Sequence, residues 1–270
     1  MTVLDWLVKS MRRLNEAGVD SPRRDCLVLL EDLLQKDRSW VIAHADFELS
    51  AKQTAHLDKQ IGRRIKREPL AYIRSKVWFY GRFFRVTSAV MVPRPESESF
   101  IEIIKAIKPP KIIDIGTGSG CLAITAKQEL PDSEVIATDI DDKALVLAED
   151  NSKRHNTKVR FIKGSLTEPL ANEDLSGFAV LTNLPYVPDG LITSKEINYE
   201  PETALFSGKD GLNHYREFWS QIQKLDKKPS YILTESLEQQ HEPLIGLAKK
   251  SGYKLTKTDI LVQLFEPSSS

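Results

Sequence analysis

Lys111-Ile112-Ile113-Asp114-Ile115-Gly116-Thr117-Gly118-Ser119-Gly120 decides the fold. A short apolar run ends in closely spaced glycines, the pattern of a buried strand turning into a helix where backbone must approach a ligand. Outward from this stretch the pattern alternates. Strands are predicted over 112–115, 135–138, 159–162 and 178–181, with helices from about Ser119 and about Asp142 between them. Such βαβα order gives a mostly parallel, three-layer α/β sheet with helices on both faces and ligands at the carboxyl ends of its strands. Beyond it, 212–225 reads as a helix, 231–234 as a strand, 237–250 as a helix and 253–264 as two closing strands, antiparallel at the C-terminal edge.

The glycine loop, Asp114 with Gly116, Thr117, Gly118, Ser119 and Gly120, fits a nucleotide-type ligand. Asp139, 23 residues after Gly116 and at the end of the second strand, is placed to accept hydrogen bonds from both ribose hydroxyls. The glycine spacing is not Gly-x-Gly-x-x-Gly and no phosphate-binding lysine follows, so an adenosine cofactor without phosphates fits better than a dinucleotide or a nucleoside triphosphate. S-adenosylmethionine is one, and its positive groups favour nearby acids such as Asp114. The plain alternative is a glycine-rich turn that binds nothing.

A second motif, Asn183-Leu184-Pro185-Tyr186, closes the apolar run 178–181. An sp² NH₂ group is a poor nucleophile, improved when an Asn side-chain oxygen and a backbone carbonyl hold its hydrogens while an aromatic ring fixes its plane. Asn183, the Leu184 carbonyl and Tyr186 supply those three functions. The turn therefore suits methylation of an amide or exocyclic amine, although Asn-X-Pro-Tyr also occurs as an ordinary turn.

The 270 residues are 41% hydrophobic and 28% charged with no net charge, the composition of a soluble globular chain of one or two domains. Residues 1–94 carry 18 Lys and Arg against 11 Asp and Glu, and 95–270 carry 20 against 27. The basic cluster Arg63, Arg64, Lys66 and Arg67 is either a solvated helix face or a site for an acidic partner. Two cysteines without Cys-x-x-Cys point to a reducing compartment, and no export signal or membrane span is read, so the cytoplasm is expected. The five histidines are read as surface or capping residues and no metal site is expected.

The first 75 residues read as all-helical. Leu4, Leu7, Met11 and Leu14 mark one helix, Ser21-Pro22 starts a second, 39–44 is a short third, and Ser50 caps a longer one to about Arg67. The aromatic-rich stretch 77–86 around Tyr80-Gly81 reads as a β-hairpin, with Trp78 and Phe79 as its core. Arg94 and Glu96 either line a substrate channel or pair on the surface.

These segments together resemble the HemK/PrmC family of protein glutamine methyltransferases. The likeness is carried by the glycine loop, the Asn183 to Tyr186 turn, Arg67-Glu68-Pro69-Leu70-Ala71-Tyr72-Ile73, Phe79-Tyr80-Gly81, Val92-Pro93-Arg94-Pro95-Glu96-Ser97-Glu98, Glu200-Pro201-Glu202-Thr203-Ala204-Leu205 and Asp210-Gly211-Leu212. The resemblance implies a Rossmann-like class I S-adenosylmethionine-dependent methyltransferase domain over 96–270, a small helical substrate-recognition domain over 1–75 and a β-hairpin linker over 76–95. It implies a cytoplasmic monomer that methylates the Gly-Gly-Gln glutamine of class I peptide chain release factors, with nucleic acid disfavoured as a partner. Asn183, Leu184, Pro185 and Tyr186 would be catalytic and substrate-binding, with Arg94 and Glu96 also toward substrate and Asn183 also beside the cofactor.

Three features depart from that family. Leu184 stands where a proline is usual, which costs stiffness but keeps the carbonyl. Ser165 and Leu166 stand where an acid usually meets the adenine amino group; Ser165 would bond it more weakly and Leu166 would pack on the ring. Thr234-Glu235-Ser236 stands where Glu-Ile-Gly is common, and the C-terminus lacks the usual Arg after its final Asp. An adenine methyltransferase acting on RNA or DNA, and a binding protein of the same fold without turnover, are the competing readings.

Overall fold

The structure, a computed structural model, describes residues 1–191 and 194–268. Residues 1–75 with 194–199 form one compact unit, and the remaining described residues form a second.

In the first unit, α1 (Val3–Glu16), α2 (Pro22–Leu34), α3 (Arg38–Ala43), α4 (Ala51–Ile65) and α5 (Leu70–Arg74) surround an apolar core. Thr2 with Asp5 and Ser50 with Gln53 form capping boxes at α1 and α4, and Asp37 caps α3, each cap stabilising by about 1 kcal/mol. The buried face of α1 is Val3, Trp6, Ser10 and Leu14, with Leu4 52% exposed. Leu7 and Met11 pack only partly against the core. The face expected from leucine spacing is therefore rotated: Trp6, the largest side chain, is fully buried and its indole N–H donates to Asp58 at 3.1 Å.

The basic cluster is mostly committed to internal partners. Arg63 pairs with Glu68. Arg64 is 6% exposed and bonds Asp25 and Glu196, both at 2.8 Å, and Arg67 bonds Glu196 at 2.9 Å and the Gly18 carbonyl. A free basic patch on this face is thereby corrected to a network that closes on residue 196, far along the chain.

The second unit opens with the hairpin of β1 (Lys76–Phe79) and β2 (Arg82–Arg85). Tyr80 and Gly81 both take positive φ, 45° and 74°, as the tight turn between right-twisted strands demands. Phe79 is buried, but Trp78 is 56% exposed and stacks edge-on against Phe83, so only one of the two expected core aromatics is core.

After α6 (Glu98–Ile107) come β3 (Lys111–Ile115), α7 (Cys121–Glu129), β4 (Glu134–Asp139), α8 (Asp142–Arg154), β5 (Arg160–Lys163), β6 (Phe178–Thr182), α9 (Asn213–Lys224), β7 (Tyr231–Glu235), α10 (His241–Lys250), β8 (Tyr253–Asp259) and β9 (Val262–Pro267). The sheet order is β5-β4-β3-β6-β7-β9-β8; the first five strands are parallel and β9 pairs antiparallel with both neighbours. Within β3, Ile112 packs in one apolar cluster with α6 and α7, whereas Ile113 and Ile115 pack in another with α9 and α10, so both faces are covered. The chain moves outward through β4 and β5 and returns to the other side of β3 as β6. The crevice between the carboxyl ends of β3 and β6 is the topological switch point. Helix α7 starts at Cys121 rather than Ser119 because Gly118 and Gly120 occupy left-handed φ. No helix among the described residues is long and apolar enough to cross a membrane.

Candidate active site

A cavity of about 330 Å³ lies over that switch point, lined along one side by Gly116, Thr117, Gly118, Ser119, Asp139, Ser165 and Leu166 and along the other by Asn183, Leu184 and Pro185. Its charged wall residues are Asp139, Asp141 and Glu217, and no lysine or arginine lines it among the described residues. Such a wall disfavours phosphate and suits a positively charged nucleoside.

Asp139 ends β4, with Oδ2 accepting from Gly118 N at 2.8 Å and Oδ1 from Asp141 N at 3.0 Å. Each oxygen keeps a second lone pair for a ligand hydroxyl. Burial raises the pKa of this carboxyl despite those donors. Asp114 is different: it is 1% exposed and stands behind the wall, its Oδ2 accepting from Thr117 Oγ1 at 2.7 Å and Ala123 N at 3.2 Å. It holds the loop to α7 instead of facing the ligand, and burial pushes its carboxyl up to about 6. Gly120 also withdraws from the wall, because a Cβ there would meet Ala148 and Ile124 at 3.0 Å; it serves helix packing. Of the expected cofactor residues, these two lie behind the cavity.

The opposite side begins at the residue after β6. Asn183 Nδ2 donates to Ser97 Oγ and to Glu235 Oε1, both at 3.0 Å, so both its hydrogens are used. Among the described residues no donor meets Asn183 Oδ1 or the Leu184 carbonyl. Leu184 is 4% exposed, with Cδ2 lying 3.5 Å from where a Cβ on Gly116 would stand, which brings this turn against the glycine loop. Tyr186 is half-buried behind the cavity wall, its hydroxyl donating to Glu235 Oε1 at 3.0 Å and its carbonyl accepting from Gln240 Nε2 at 2.8 Å. Burial and the neighbouring Glu235 charge raise its pKa, so the phenol stays protonated. Gly211 is required beside it: φ is +77° and a Cβ would overlap the Tyr186 carbonyl oxygen.

Glu235, at the end of β7, is fully buried and also accepts from Ser97 Oγ at 2.6 Å. Desolvation raises its pKa while the Ser97, Tyr186 and Asn183 donors oppose that rise. The sequence marks Glu235 only as a departure and gives no sign that Ser97 is a wall residue. Arg94 does not reach the cavity wall; it donates to Glu200 at 2.6 Å, and Glu200 also accepts from Val92 N at 3.0 Å. Glu96 is exposed on the 3-10 turn Pro95–Ser97 and likewise does not line the cavity. His214 departs from the reading of all histidines as surface or capping residues. It lines the cavity with Glu217, and its Nδ1 is 2.6 Å from Ser207 Oγ, which accepts from His214 N at 2.9 Å. The helical spacing of His214 and Glu217 was the available signal for both. No cluster of three or more His, Cys, Asp or Glu side chains that could hold a metal occurs among the described residues.

A switch-point cavity with acids at the β4 end and an Asn-Leu-Pro-Tyr turn at the β6 end, on this strand order, defines a methyltransferase of the class I fold. Residues 5–74 match the family model described as PrmC N-terminal domain, and residues 95–207 match Methyltransferase small domain. The chain is 32% identical over 256 residues to release factor glutamine methyltransferase of Geobacter sulfurreducens, covering 93% of this chain and 88% of that protein. It is 33% identical over 239 residues to the protein of that name from Coxiella burnetii, covering 87% and 86%. The chain belongs to the release factor glutamine methyltransferase family. Among solved structures, the hMettl16 catalytic domain in complex with MAT2A 3′UTR hairpin 6 superposes with a TM-score of 0.54 at 14% identity, over 81% of this chain and 82% of that one. At that identity the likeness is one of fold.

Proposed function

We propose that this protein transfers a methyl group from S-adenosylmethionine to the side-chain amide nitrogen of the glutamine in the Gly-Gly-Gln segment of class I peptide chain release factors. The observation that carries this reading is the pair of carbonyl oxygens, Asn183 Oδ1 and Leu184 O, left without donors among the described residues at the cavity. A primary amide offers two N–H groups, and two acceptors on one turn match them. The names of the relatives support the same substrate.

The residues present fit the cofactor. Asp139 would take the ribose hydroxyls; Ile140, 68% exposed on the wall, and Leu166 offer apolar surface for the adenine, and Ser165 offers it a hydroxyl. When bound, the cofactor supplies an electrophilic methyl on a sulfonium. The protein's part is positional: Asn183 and Leu184 hold the amide hydrogens and bias the nitrogen lone pair toward the cavity, while Tyr186, behind the wall, steadies the turn through its bond to Glu235. Neutral Tyr186 is no base, and the proton leaves once the nitrogen has gained its methyl. Residues 1–75 are assigned recognition of the intact release factor.

Labelled cofactor, incubated in parallel with an intact release factor, a short Gly-Gly-Gln peptide and structured RNA, tests the proposal. Label should enter the glutamine of the intact factor with a much higher kcat/KM than that of the peptide. Label in RNA alone overturns the substrate assignment, and equal efficiency on factor and peptide removes recognition from residues 1–75.

A further inference from the structure

We propose that Glu235 is the positioning residue of the transfer step, fixing the Asn183 amide so that it presents oxygen, and not nitrogen, to the substrate. The inference rests on the reading that Asn183 accepts a substrate N–H.

The two ends of an Asn amide are nearly equal in size, so shape alone does not choose between them, and the hydrogen-bond network decides. Here the choice is forced from three sides. Glu235 Oε1 lies 3.0 Å from Asn183 Nδ2, and flipping the amide would set its oxygen against an oxygen of the fully buried Glu235 carboxylate. Ser97 gives its one hydroxyl hydrogen to Glu235 Oε2 and can therefore only accept from Asn183. Tyr186 donates to the same Oε1 that receives Asn183, which ties the aromatic ring and the amide to a single atom. Three donors thus converge on one buried carboxylate. With Nδ2 held on the protein side, Oδ1 is the atom left for the cavity.

This geometry predicts a polarity swap. Asn183→Asp in the parent places two carboxylates about 3 Å apart, and kcat should fall on the order of 10³-fold. Glu235→Gln alone keeps one acceptor oxygen for Asn183 and Tyr186, and kcat should fall less than about tenfold. In the double variant the amide introduced at position 235 would donate to the carboxylate introduced at position 183 and accept from Ser97, again leaving an oxygen toward the cavity; Ser97 loses its Asn183 donor and Tyr186 its acceptor oxygen, so kcat should recover only in part, by about tenfold over Asn183→Asp.

The experiment is this cycle in the full chain on a Gly-Gly-Gln substrate, with S-adenosylhomocysteine affinity measured for every variant and expected to stay within about threefold, since no adenosine contact is altered. A double variant as inactive as Asn183→Asp, or loss of nucleoside binding in step with kcat, overturns the proposal and leaves Glu235 a packing residue. A second readout needs no turnover. The Asn183 side-chain NH₂ resonances of labelled protein should be shifted and slow to exchange in the parent and should lose both properties in Glu235→Leu. Unchanged resonances overturn the proposal even if the parent proves inactive on release factor. Altered resonances with an inactive parent uphold the amide's orientation and count instead against the assigned substrate.

Discussion

The two sides of the cavity are built in opposite ways. On the glycine-loop side the supporting bonds span at most 21 residues: Thr117 and Ala123 hold Asp114, and Gly118 and Asp141 hold Asp139. Most of these donors are backbone N–H groups delivered by one βα turn and the strand beside it. On the Asn183 side the bonds join side chains from separate segments, with Asn183 and Glu235 52 residues apart and Ser97 and Glu235 138 apart. The wall proposed to bind the cofactor is written locally, whereas the wall proposed to align the substrate is an assembly. Local turns tolerate loss of one contact by adjusting backbone; a closed side-chain network has no spare partner.

The contrast breaks most sharply at Asn183. Asn183→Ala should lower methyl transfer on the order of 10³-fold, as expected for removal of an aligned acceptor, while cofactor affinity stays within a few fold. Labelled-methyl kinetics with calorimetry measure both, and near-normal turnover removes Asn183 from the mechanism.

Asp139→Ala should do the reverse. Losing a charged acceptor for two hydroxyls should weaken cofactor binding by about 1.5–3 kcal/mol, with Asp139→Asn milder. Equal affinity of parent and alanine variant for S-adenosylhomocysteine would show that the ribose is not held there.

Asp114 makes the glycine-loop side sensitive to pH. Its carboxyl is held at about 6 against an ordinary 3.8, so the fold binds its proton more tightly than the unfolded chain does. Its contribution to stability is therefore fully present below 3.8 and is lost as pH rises through 6. Asp114→Asn, whose amide oxygen can still accept from Thr117 and Ala123, should stabilise the cofactor-free protein by about 1–2 kcal/mol at pH 7.5 and by much less near pH 4. Thermal melts across that range decide it; a benefit that grows toward low pH contradicts the sign.

Arg94→Ala should give the smallest effect. It strips a half-exposed partner from buried Glu200, which keeps its bond from Val92 N, so a loss of about 1 kcal/mol in stability is expected. Because Arg94 does not line the cavity, kcat should change only a few fold. A loss matching that of Asn183→Ala would place Arg94 on the substrate after all.

The amino-acid order alone marked the β3 strand with its glycine turn, Asp139 at the end of β4, and the Asn183 turn after β6, since each is specified within a few residues by φ requirements and strand period. It likewise marked the helical character of residues 1–75, the hairpin at Tyr80-Gly81 and the helix starts at Ser50 and Ser21-Pro22. Long-range packing placed Asp114 and Gly120 behind the cavity, turned Arg94 to Glu200, brought His214 and Glu217 inward and closed Arg64 and Arg67 on Glu196. It alone set the rotation of α1, because burial of Trp6 outweighed the leucine spacing. And it alone joined Ser97, Asn183, Tyr186 and Glu235. A hydrogen bond over 138 residues leaves no periodic trace in the chain; its partners become neighbours only when the parallel sheet brings the ends of β6 and β7 together beneath the turn that precedes α6.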